Sequence, residues 1–173
     1  MKSHRSIPRS GQFLSALALG LVAGCSVRYG FSQGAFPPNI KTMAVLPFDN
    51  QTPSPAVQSE LFDAMRNDMQ KRLGVRDAPQ GTADAIVRGT IVEYDPDIPV
   101  SFSASPNQTV SARRKLQIVI DIEIVDQKSG KTLWQRKALS GDGEYAERAE
   151  QDGRKLAIQR IINDIIEGAQ SQW

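Results

Sequence analysis

Leu116-Gln117-Ile118-Val119-Ile120-Asp121-Ile122-Glu123-Ile124-Val125 places Leu or Ile at every even position and Gln117, Asp121 and Glu123 at odd ones. Side chains of an extended chain alternate between two faces, so this spacing predicts a strand with one buried and one wet face. Such a strand needs a neighbour and a cover. The neighbour follows at once: residues 126–130 have turn composition, and residues 131–141, with Leu133, Trp134, Ala138 and Leu139, return as an antiparallel partner.

The cover comes from two stretches of helical period. Val57, Leu61, Ala64, Met65 and Met69 form one apolar stripe, which predicts a helix over residues 55–73. Ser54 is placed as its N-cap, Pro55 at its first position and Gly74 as its left-handed terminator. Ala157, Ile158, Ile161, Ile162, Ile165 and Ile166 form a second stripe within a helix over residues 146–169. Residues 41–48 are rich in strand formers and close on a turn at residues 49–53. A further strand spans residues 83–95, with Ile86, Val87, Ile91, Val92 and Tyr94 on both faces, so alternation alone does not choose its inward side. Residues 95–108 contain Pro96, Pro99 and Pro106 and read as a long loop. The expected architecture is α+β, in the order β-α-β-β-β-α. It is a two-layer sandwich whose four-stranded mixed sheet carries both helices on one face, with Ile118, Ile120 and Ile122 meeting Leu61, Met65, Ile161 and Ile165. The other face is left to water or a partner.

Lys2, Arg5 and Arg9 precede a ten-residue apolar run, residues 13–22, the layout of a secretory signal too short to span a bilayer. Residues 1–24 hold three of the 21 basic residues and none of the 19 acidic ones, so 18 basic residues face 19 acidic ones in the mature chain, a net charge of −1. Nucleic acid binding loses its electrostatic warrant. The one histidine, His4, leaves with the signal, and Cys25 is the one cysteine. That excludes His-dependent triads, Cys–His pairs, zinc sites built on His or Cys, and internal disulfides. Phosphate-loop, calcium-loop and repeat patterns are lacking as well. One carboxylate pair invites an enzymatic reading: Asp121 and Glu123 share a strand face about 6.6 Å apart, within glycosidase range. Charges at i and i+2 are nonetheless the ordinary dress of a wet strand, and no aromatic sugar platform accompanies them. No enzyme and no cofactor beyond covalent lipid are expected.

Leu21-Val22-Ala23-Gly24-Cys25 resembles the lipobox of bacterial lipoproteins, in which the cysteine receives an S-diacylglycerol and, after cleavage, an N-acyl chain. Several acyl chains make anchoring stable where one does not. Residues 25–40 are then the lipidated terminus and tether. Residues 26–39 read as a loose linker, or as a segment docking through Tyr29, Phe31 and Phe36, with a reach of at most about 46 Å. The folded domain spans residues 41–170. That anchor combines with Ile40-Lys41-Thr42-Met43-Ala44-Val45-Leu46-Pro47-Phe48-Asp49-Asn50-Gln51-Thr52-Pro53, with Ala83-Asp84-Ala85 followed by Gly89-Thr90-Ile91, and with Ser129-Gly130-Lys131-Thr132-Leu133-Trp134. Together they resemble the LptE family, outer-membrane lipoproteins of lipopolysaccharide assembly. The strand-to-helix segment alone also occurs in CsgG-like and TolB-like envelope lipoproteins, the alternative class.

The resemblance implies a lipid-anchored protein on the periplasmic side of the outer membrane. It would plug an LptD-type β-barrel, assist its folding and bind lipopolysaccharide; Ser26 after the cysteine agrees with outer-membrane sorting. Arg113 and Lys115 share the parity of Gln117, Asp121 and Glu123, so they fall on the wet face of the third expected strand, near the long loop. Arg88 and Lys137 on neighbouring strands are their companions as candidate lipopolysaccharide- or partner-binding cations.

Overall fold

The computed structural model describes residues 36–100, 113–146 and 148–172. Cys25 and residues 1–35 lie outside them, as do residues 101–112, which include 101–108 of the loop expected at 95–108. The described chain is an open α+β sandwich: β1 (Thr42–Val45), β2 (Asp49–Asn50), α1 (Pro55–Leu73), β3 (Arg76–Asp77), β4 (Ala85–Pro99), β5 (Arg113–Asp126), β6 (Thr132–Ala146) and α2 (Glu150–Gln170).

The expected strand is β5, paired on its two sides by β4 and β6. Leu116, Ile118, Ile120, Ile122 and Ile124 are buried, while Gln117, Asp121 and Glu123 are partly exposed on the opposite face. The sheet is mixed and open, in the order β3-β1-β4-β5-β6, with β2 also paired to β4. β1 and β2 run parallel to β4, and β4, β5 and β6 form an antiparallel meander. It has six strands among the described residues where four were expected. The two extra ones, β2 and β3, are two residues long, and the neighbouring backbones define them rather than any periodicity of their own.

Both helices cover one face, as expected, but they divide it. α2 lies over β6 and β5, whereas α1 lies against α2 and the β1–β3 side. Their stripes and the inner face of the sheet form one buried cluster. Phe36 and Ile40, within the expected tether of residues 25–40, belong to that cluster.

Two strands outrun their expected ends. β4 continues through Pro96 to Pro99, because β1 and β2 pair only with its first half and leave the later part as a sheet edge, where proline forfeits no ladder bond. The Tyr145 hydroxyl donates to the Pro96 carbonyl, and Arg114 pairs with Asp97. β6 continues past Gly141 to Ala146, which moves the start of α2 to Glu150. Ser54 is extended at the start of α1 but makes no side-chain cap bond; Asn50 instead donates to the Ser54 carbonyl at 2.9 Å. Gly74 terminates α1 in the left-handed region, as its position predicts.

Asp84 ties β1 to the turn between β5 and β6. Its Oδ2 accepts the Thr42 hydroxyl at 2.9 Å and the Lys41 and Thr42 amides at 3.1 Å each. Its Oδ1 meets Lys128 Nζ at 2.7 Å. The Lys128 bond first, then the Thr42 hydroxyl and Lys41 amide, hold this carboxyl well below the usual carboxylate range. The folded value lies below the unfolded one, so this stabilisation is complete above about pH 4 and is lost as pH falls through the folded value. Asp84→Asn should therefore lower the thermal midpoint at neutral pH and flatten its decline below about pH 4. Parallel acid-titration melts check this, and an unchanged slope would count against it.

Candidate functional site

The face opposite the helices carries a groove of about 410 Å³. The chain between β1 and β2 contributes Leu46, Pro47 and Asp49; β4 contributes Arg88, Gly89 and Thr90; β5 contributes Asp121, Ile122 and Glu123; β6 contributes Gln135, Arg136 and Lys137. Its floor is built by a close approach. A Cβ on Gly89 would stand 2.3 Å from the Asp121 carbonyl and 2.6 Å from the Phe48 ring, so glycine lets Phe48 tuck fully into the core beneath.

The rim is shaped by a bulge. Ile120 faces Leu139 and Ile122 faces Arg136, so Lys137 and Ala138 together oppose Asp121. Ala138 has φ 50°, and its amide, which the ladder leaves over, donates to Asp121 Oδ1 at 2.8 Å. The bulge turns Gln135, Arg136, Lys137 and Ala138 all outward. Across the groove Arg88 pairs with Glu123 at 2.9 Å, and the Thr132 hydroxyl donates to the other Glu123 oxygen at 2.8 Å. The Thr132 bond, then Arg88, hold Glu123 below its ordinary value. A glycosidase acid needs a raised carboxyl. Asp121 and Glu123 thus have structural partners, one bracing a bulge and the other a cross-strand pair.

Of the four candidate cations, the structure brings Arg88 and Lys137 together at this groove. Arg113 and Lys115 stand at the far end of β5, at least six residues or about 20 Å along the strand from Asp121. There Arg113 pairs with Glu144 at 3.5 Å, and Lys115 lies opposite Ile98 and Glu144. Arg136 is the groove cation that the sequence reading misses. Its parity on β6 follows the buried face, and only the bulge beside it brings it to the rim. Among the described residues no group of three or more His, Cys, Asp and Glu could hold a metal ion, and no helix is long and apolar enough to cross a membrane.

Fold and groove define a class: a small open α+β module, helices on one face and a charged groove on the other. Residues 40–166 match the model of LptE, lipopolysaccharide-assembly, and the chain belongs to that family. By sequence, no curated protein matches it. Among solved structures it is similar to protein XCC0632 from Xanthomonas campestris, with 8% identity and TM-score 0.52, covering 80% of this chain and 89% of that one. It is also similar to the hypothetical protein CT253 from Chlamydia trachomatis, with 10% identity and TM-score 0.51, covering 77% and 97%. A third similarity is to the dodecamer of a leucine-to-methionine variant of PelC from Paraburkholderia phytofirmans, with 17% identity and TM-score 0.49, covering 79% and 92%. At these identities the first two establish the fold alone. Family membership ties the chain to lipopolysaccharide assembly.

Proposed function

We propose that this protein is an outer-membrane lipoprotein of lipopolysaccharide assembly. Acyl chains on Cys25 hold it at the periplasmic side. It seats in the lumen of an LptD-type β-barrel, assists that barrel's folding, and offers cations to lipopolysaccharide phosphates. The work is binding and assembly, with no catalytic step and no cofactor other than the covalent lipid. The observation that carries this reading is the groove on the uncovered sheet face, where Arg88, Arg136 and Lys137 gather. Guanidinium and ammonium groups at this open rim suit phosphate oxygens.

Co-purification from detergent-solubilised envelopes tests the partner. Recovery with an outer-membrane barrel is expected, whereas a self-assembled ring of this chain alone would overturn the plug in favour of a CsgG-like or TolB-like assembly. For the ligand, Arg88→Ala with Lys137→Ala should weaken lipopolysaccharide binding roughly tenfold at low salt, and the gap should close as salt is added. Arg113→Ala with Lys115→Ala should have the smaller effect. The reverse ranking would move the site to the far end of β5.

A further inference from the structure

The end of the domain that holds Phe36, the first described residue, carries a separate set of cations. Phe36 and Ile40 lie in a cleft with Leu73, Gly74 and Val75, and the charged residues lining it are Lys41 and Arg76. Lys71 and Arg72 sit in the last turn of α1, immediately before this cleft. Topology brings these segments together. α1 ends where β1 begins, and β3 then pairs with β1 so that Thr42 faces Arg76 and the Arg76 amide donates to the Lys41 carbonyl at 3.0 Å. Lys41, Lys71 and Arg76 are exposed, and their side chains have no ion-pair partner among the described residues. Of the carboxylates nearby, Asp77 is engaged by Arg66 and Asp84 by Lys128, while Asp68 lies three residues before Lys71 on α1.

We infer that this end is an electrostatic docking surface for an anionic phospholipid leaflet, with Lys41, Lys71 and Arg76 as its contacts. Two observations select a membrane as the occupant. The cations are exposed, and they stand in or beside the cleft that holds Phe36, the first described residue. Cys25 lies 11 residues before Phe36, so the chain holds an anchored Cys25 within about 36 Å of the cleft. Until the domain is seated in a barrel, a tether alone leaves it free to tumble; a cationic end facing the headgroups would set its orientation. In orientation this rests on the Cys25 anchor proposed above, but the surface itself is testable without lipid.

The mature chain from Cys25 to Trp173 carrying Cys25→Ser is mixed with vesicles of phosphatidylcholine, with or without phosphatidylglycerol, and floated on a density gradient. Binding is expected only to the anionic vesicles and should fall away as added salt screens it. Lys41→Gln, Lys71→Gln and Arg76→Gln together should weaken partitioning about a hundredfold, at roughly fivefold per cation. These side chains are exposed, so the thermal midpoint should stay put and exclude misfolding. Arg148→Gln with Lys155→Gln removes two cations from the opposite end of α2, and partitioning should hold within about twofold. Equal binding to neutral vesicles, no binding to anionic ones, or an equal loss in the Arg148/Lys155 variant would each overturn the docking surface. Acylation of Cys25 is read separately, from the mass of the N-terminal peptide, so a missing anchor and a missing docking surface give different results.

Discussion

Gly143→Ala is expected to destabilise the fold by about 3 kcal/mol or more, at the upper end of what overpacking costs. A Cβ there would stand 1.9 Å from the Gly153 carbonyl oxygen and 2.8 Å from its carbon. Both atoms are helix backbone, so no rotamer change can clear them. The whole of α2 would have to lift from β6, opening space over Ile120, Ile161 and Ile165, which are fully buried. Two residues earlier the same helix touches the strand again, since a Cβ on Gly141 would meet the Ala157 oxygen at 2.3 Å. Gly153→Ala is the gentler comparison. Its nearest obstacle, at 2.7 Å, is the Tyr145 ring, with the Gly143 oxygen and Tyr145 Cβ at 3.2 Å, so the overlap is smaller than at Gly143, and alanine returns about 1 kcal/mol of helix propensity. Urea unfolding of the three proteins checks the ranking. A Gly143→Ala midpoint equal to the parent's would show that α2 is not seated on β6 backbone to backbone.

Arg154→Ala should cost about 2 to 3 kcal/mol, from charge-assisted hydrogen bonds lost in a largely enclosed site. Its side chain is only 12% exposed. The guanidinium grips Glu60 on α1 through Nε at 2.8 Å and Nη2 at 2.9 Å. Its Nη1 reaches Glu150 at 3.0 Å and the Tyr94 hydroxyl at 3.2 Å. One residue therefore joins both helices to β4. Burial, reinforced by the bond to Glu150, pushes the Tyr94 phenol up to about 12, so it stays a neutral donor at any physiological pH. Removing Arg154 leaves Glu60 and Glu150 without their shared cation. Arg154→Lys keeps the charge but not the planar fork, and should recover less than half of the loss. A double-mutant cycle with Glu60→Gln should show coupling of about 1 kcal/mol or more. Additive losses would mean that Arg154 acts by packing alone.

Much of the fold is legible in residues 55–73 and 116–125, because burial on one side of a regular element imposes its period on the sequence. The β5–β6 turn is equally legible. Asp126 accepts the Lys128 amide at 2.8 Å and the Ser129 amide at 3.2 Å, and Gly130 takes φ 68°. Where reading fails, the cause lies in another part of the chain. Gly141 and Gly143 look like the end of a strand, yet they are glycine because α2 lies directly on them. Pro96 and Pro99 look like a loop, yet they are tolerated because β1 and β2 are too short to reach them. Gly89 and the register shift after Ile91 break the alternation that would have shown which side of β4 is inward. Of the site, Arg88 and Lys137 were legible as outward cations on neighbouring strands. Arg136 and the distance separating Arg113 and Lys115 from the groove were not.

By itself the sequence determined the half-buried strand β5, its hairpin partner, two one-sided helices, and resemblance to the family that residues 40–166 match. Each is a property of neighbours along the chain: a period, a spacing or a residue count. Tertiary structure alone decided the two short parallel strands, the division of one sheet face between the helices, the bulge at Lys137 and Ala138, and which cations share a groove. Those depend on backbones distant in sequence approaching within a few ångströms, where a missing Cβ or an extra residue matters to the partner segment and leaves no periodic trace in its own.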